Sequence, residues 1–135
     1  MLRANTELKE RGIDGYGSGC FGASRDGGQR LHNGIDYECA AGSFIFPVEP
    51  GRVTKLGYPY GDDLTFRYVE VTDVTGYHWR YFYVDPAVVL GDYITESTML
   101  GRLQALEGRY PGITPHCHLE VKDGEGNYID PRAIV

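Results

Sequence analysis

Thr114-Pro115-His116-Cys117-His118-Leu119-Glu120-Val121 reads as a strand with two unlike faces. In extended backbone, residues two apart point the same way. His116, His118 and Glu120 therefore share one side, and Cys117 faces the other, toward a core. An earlier segment answers this one: His32-Asn33-Gly34-Ile35-Asp36. Imidazole nitrogen with carboxylate oxygen is a donor set that suits zinc. The chain has 4 histidines, and all but one lie in these two segments. Either motif alone is most often structural. Together, each beside glycine and an apolar strand, they predict a transition-metal site.

Working outward, the chain keeps to β patterns. Ser43–Val48 is a short apolar run closed by Pro47 and Pro50, and Gly51–Gly57 alternates around Val53 and Leu56. Leu64–Thr72 sets Phe66, Tyr68 and Glu70 against Val69 and Val71, and Gly76–Val84 is rich in aromatics. Asp73-Val74-Thr75-Gly76 joins these two as a tight hairpin, and Asp123-Gly124-Glu125-Gly126-Asn127 makes another before Tyr128. Further strands are predicted at Tyr93-Ile94, Met99–Leu103 and His116–Lys122. No sustained helical period follows residue 12. Strands without intervening helices predict an all-β, antiparallel domain.

Length and composition bound the rest. At 135 residues, 41% of them hydrophobic, one domain can build a core without staples. Residues 1–11 read as an N-terminal arm or short helix and 12–135 as the domain. The glycines of 12–31 are interleaved with Ile13, Tyr16 and Phe21, which makes an ordered loop. No strand precedes them and no Gly-Lys-Ser/Thr occurs, so they are not a phosphate loop. A net charge of −6 without any Lys/Arg block excludes a nucleic-acid footprint. No apolar run is long enough to span a bilayer. The polar start has no secretory h-region. The chain is therefore expected to be cytoplasmic as made, leaving by lysis, by specialised secretion or on a phage particle. Cys20, Cys39 and Cys117 form no C-x-x-C pair and are expected to be reduced.

The segments Arg30–Asp36, Ala41-Gly42-Ser43, Pro47–Val53, Gly91, Leu100-Gly101, His116–Glu120 and Ile129-Asp130-Pro131 come in an order and spacing that resembles the LytM/lysostaphin-type zinc metallopeptidases. The resemblance covers about residues 12–133. Tyr37–Gly42, Tyr81–Pro86 and Tyr110–His116 further resemble the branch of that family containing leukocyte cell-derived chemotaxin 2 and its bacterial and phage relatives. The resemblance implies a compact antiparallel β-domain with a loop-walled zinc groove, the walls including residues 12–31 and 104–115. It implies that His32, Asp36 and His118 hold Zn2+ and leave a fourth position for water. His116 would face that water, about 6–7 Å along the strand from His118. The implied substrate is a peptidoglycan peptide cross-link, or a glycyl or alanyl peptide.

One position departs from the family pattern. Active members carry Tyr-x-His-Leu where this chain reads Tyr81-Phe82-Tyr83-Val84. Tyr83 thus replaces the expected catalytic histidine. His78 is five residues away, an odd number, so on a regular strand it faces the other side. Two readings stay open: an endopeptidase of attenuated activity using His116 with Tyr83, and a non-catalytic zinc module that binds a peptide, glycan or protein partner. Glu120 is either an orienting carboxylate for a ligand histidine or a solvated edge residue. Trp79, Tyr77, Tyr81 and Phe82 read as sheet packing, and Asp62-Asp63 as a turn.

Overall fold

The computed structural model describes Arg11, Gly19, residues 22–25 and residues 30–131. The arm expected over residues 1–11, save Arg11, lies outside these residues, as do most of the glycine-rich loop and Cys20. The strands in chain order are β1 (Ser24–Arg25), β2 (Arg30–Leu31), β3 (Gly34–Glu38), β4 (Phe44–Ile45), β5 (Gly51–Gly57), β6 (Tyr68–Thr72), β7 (His78–Phe82), β8 (Val84–Pro86), β9 (Tyr93–Ile94), β10 (Gly101–Leu103), β11 (His116–Lys122) and β12 (Tyr128–Ile129). All pair antiparallel. The main sheet runs β12-β11-β7-β6-β5-β9, with β3 also paired to β11; β4-β10-β8 and β1-β2 form two smaller sheets.

The two motif strands are neighbours, as one metal site shared between them requires. β3 lies against β11 with Asp36 opposite His118 and Gly34 opposite Glu120. Alternation sends Val69, Val71, Trp79, Tyr81, Cys117, Leu119 and Val121 into one core with Ile35 and Tyr37. Fully burying each large apolar side chain contributes about 1.5–3 kcal/mol. The other face carries the polar set in level rows. His118, Phe82 and Tyr68 stand side by side across β11, β7 and β6, and Glu120, Arg80 and Glu70 form the next row. Phe82 stacks on Tyr68 with ring centroids 4.8 Å apart and meets the His118 ring edge-on at 4.9 Å.

The Ser43–Val48 and Met99–Leu103 runs are strand only at β4 and β10, and two longer runs depart from the sequence pattern for a visible reason. The Leu64–Thr72 run becomes strand only at Tyr68, because Phe66 turns into a second, smaller cluster with Leu106 and Ile113. The Gly76–Val84 run is broken at Tyr83, the described non-glycine residue with positive φ, at 69°. This break separates β7 from β8 and lets β8 leave the main sheet for β10. Both hairpins form as expected: Asp73 accepts the Gly76 N–H, Asp123 accepts the Gly126 N–H, and both glycines have positive φ. Cys39 and Cys117 are free thiols, and Cys117 is fully buried on the core side.

Candidate metal centre

β3 and the turn before it deliver His32 and Asp36, four residues apart, and β11 delivers His118 opposite Asp36. Gly34 between the two donors is required by closeness. A Cβ there would run into the Leu119 carbonyl and stand 3.0 Å from His118 Cε1. The three donors converge. His118 Nδ1 is 2.7 Å from Asp36 Oδ1, His32 Nε2 is 3.2 Å from the same oxygen, and the two ring nitrogens are 2.9 Å apart. All three residues are buried. Protons alone satisfy this triangle poorly, since two N–H groups aimed at one oxygen would face each other. A central cation satisfies all three lone pairs, so the donor set fits a metal. These residues form the group of His, Cys, Asp and Glu found able to hold an ion among the described residues.

The next layer is also in place. Glu120 is 3.0 Å from His118 Nε2, the nitrogen turned away from the other donors. Glu120 is therefore the orienting carboxylate, the first of its two sequence readings, and it fixes the ring as metal-bound imidazoles require. Burial opposes charge on His118, but the hydrogen bonds of Asp36 and Glu120 outweigh it and push its pKa up to about 9. Burial likewise opposes ionisation of Asp36, yet its bonds to His118 and His32 hold it well below the usual carboxylate range.

His116 lies on the same face as His118. Its Nδ1 is 2.7 Å from the Thr114 carbonyl and must donate to it, which leaves Nε2 as the basic nitrogen of the neutral ring. Nε2 is 3.5 Å from Asp36 Oδ2. Burial lowers the His116 pKa, and the Asp36 charge only partly restores it.

Tyr83 packs edge-to-face on His116, centroids 5.6 Å apart. Its hydroxyl is 2.8 Å from the Tyr60 hydroxyl, which is 2.6 Å from that of Tyr110. Arg109 caps the group, its Cζ 3.7 Å from the Tyr60 ring centroid. Burial pushes the Tyr83 phenol above its ordinary pKa. A cavity of about 670 Å³ opens beside Phe66, Gln104 and Arg109 and contains none of the converging donors. His78 stands level with Lys122, four residues from the Phe82–His118 pair, or about 13 Å along the strand. It bonds Thr72 Oγ1 at 2.9 Å. The kink at Tyr83 thus undoes the simple parity count. His78 shares the face of His118 and is separated from it by distance. Arg11, which no sequence signal marks, is buried against Asp36.

Convergent His, Asp and His donors on an antiparallel sheet make a candidate metal centre of the metallopeptidase kind. The chain belongs to peptidase family M23, whose profile matches residues 30–131. It is 32% identical to leukocyte cell-derived chemotaxin-2 of Mus musculus over 125 residues, 93% of this chain and 78% of the relative. It is also 32% identical to the Bos taurus protein of that name over 110 residues, 82% of this chain and 71% of the relative. The fold matches the catalytic domain of the antimicrobial peptidase lysostaphin from Staphylococcus simulans with a TM-score of 0.64 at 18% identity, covering 84% of this chain and 86% of that one.

Proposed function

We propose that the chain is a zinc-dependent, peptidoglycan-directed endopeptidase-like protein of attenuated activity, acting on short glycyl or alanyl cross-link peptides. The observation that carries this reading is the convergence of His32 Nε2, Asp36 Oδ1 and His118 Nδ1 beside a basic His116 Nε2. These three donors would hold Zn2+. When bound, zinc supplies Lewis-acid polarisation of a carbonyl and a lowered pKa for water. His116 is the proton acceptor: its ring is neutral near pH 7, and its Nδ1 bond to Thr114 holds Nε2 toward the donors. Tyr83 takes no proton at neutral pH, since its phenol is pushed above an already high value. It serves as a wall against His116, its hydroxyl held by Tyr60. General acid–base help is worth about 10²–10⁴-fold, so losing one of two histidines slows turnover and need not abolish it.

A second reading, a zinc-holding module that binds its peptide, glycan or protein partner without cutting, is favoured by the same Tyr83 and by likeness to the chemotaxins. Dye release from purified peptidoglycan with zinc added separates the two. Solubilisation that His116→Ala removes supports the endopeptidase; binding without release supports the module.

A further inference from the structure

Arg11 is a cation with 2% of its surface exposed, and a charge so enclosed needs a partner. Its Nε and Nη2 both lie 3.0 Å from Asp36 Oδ2. The main chain fixes the approach. The Arg11 N–H donates to the Asp36 carbonyl at 2.5 Å, the Asp36 N–H donates to Gly19 at 2.9 Å, and the Gly19 N–H returns to the Arg11 carbonyl at 3.1 Å. Gly19 leaves no room for a side chain. A Cβ would stand 2.6 Å from the Arg11 carbonyl oxygen and 2.7 Å from its Cβ.

The carboxylate is therefore divided. Oδ2 faces Arg11 and His116, whereas Oδ1 faces His32 and His118. We propose that Arg11 is a positioning residue for the metal centre: by engaging Oδ2 it presents Oδ1 as the one Asp36 oxygen offered to the cation. That selects zinc over cations that take more oxygen donors. The inference rests on the zinc reading above. Calcium and manganese favour carboxylate-rich, higher-coordinate sites, often with both oxygens of one group. Zinc needs few donors in fixed directions. The guanidinium also neutralises charge beside Asp36, which opposes cation binding. Orientation outweighs this opposition, because an unheld buried carboxylate must be reorganised for each binding event.

The test uses the full chain, stripped of metal, as wild type, Arg11→Gln, Arg11→Lys and His32→Ala. Zinc affinity is read by competition with a chromophoric chelator, manganese affinity by the free-ion paramagnetic signal, and coordination by the visible absorption of added cobalt(II). Arg11→Gln is expected to weaken zinc about 10–100-fold and manganese less. Its cobalt spectrum should lose the intensity of a four-coordinate centre. Arg11→Lys, with charge but no planar fork, should recover part of each loss. An Arg11→Gln protein with wild-type zinc affinity and cobalt spectrum overturns the inference, as does one that binds zinc more tightly. Wild type that takes no more zinc than His32→Ala overturns the zinc reading itself. Near-ultraviolet circular dichroism reports folding. Should Arg11→Gln lose its tertiary signal, Arg11→Lys decides by the same criteria.

Discussion

The rings of Tyr83 and His116 meet at 87°, centroids 5.6 Å apart, with the Tyr83 hydroxyl committed to Tyr60. A phenol thus stands against the His116 ring, with its hydroxyl turned into the Tyr60–Tyr110 chain rather than toward the converging donors.

Replacing that phenol tests its effect. Tyr83→His should raise hydrolysis of peptidoglycan or oligoglycine about 10–1000-fold, below the full ~10²–10⁴-fold scale of an acid–base group because the contact with Tyr60 is lost. Histidine is also better tolerated than most residues at positive φ. His116→Ala should erase the gain, because the two would act as a unit, and His78→Ala should leave it unchanged. Rates for wild type, single and double variants decide. No gain with zinc still bound would favour the binding module.

Glu120 should matter through His118. Glu120→Ala leaves Nε2 without its carboxylate and is expected to weaken zinc about 10–100-fold. Chelator competition reads it directly. An unchanged affinity would mean that the 3.0 Å contact does not orient the ligand.

Gly34→Ala should destabilise the fold by about 1–3 kcal/mol, the usual range for an intruding methyl group. It pushes on both the Leu119 carbonyl and the His118 ring. Urea unfolding gives the first effect, and reduced zinc uptake should accompany it.

Acid should unlock the Asp73 hairpin. Asp73 accepts the Thr75 N–H and hydroxyl, the Tyr77 N–H and Trp79 Nε1, at 2.6 to 3.0 Å. Burial opposes its ionisation, but these bonds prevail and lower its pKa. The Asp73 carboxylate therefore adds stability above its unfolded value of about 3.9, and this is lost as pH falls through the lower folded value. Asp73→Asn should flatten the fall of melting temperature below pH 4. At pH 7 it should cost about 1–3 kcal/mol, since its amide would face the Trp79 N–H. An unchanged acid slope would refute the assignment.

The sheet was legible where alternation is strict. β5 and β11 begin and end at the residues that the pattern predicts, because glycines bound one and the histidine motif sets the other. The motif pairing was legible too, since His-X-His and His-x-x-x-Asp have little reason to recur unless they meet. The break at Tyr83 was not. The aromatic run continues through it, and nothing in a tyrosine announces positive φ; tertiary bonds to Arg67 and Gln104 hold it there. Arg11 was equally silent, because its partner is 25 residues away and its neighbours on the chain form no pattern.

Tyr83 packs against both apolar clusters, the main core and the smaller group of Phe66, Leu106 and Ile113. It works as a rivet between the sheet and the loops that carry Tyr60 and Tyr110. A histidine there would withdraw a ring face and a hydroxyl from Tyr60, and through Tyr60 loosen Tyr110. Activity and stability are therefore set by the same ring: Tyr83→His gains a proton acceptor and loses this joint, so its melting temperature should fall as its hydrolysis rises.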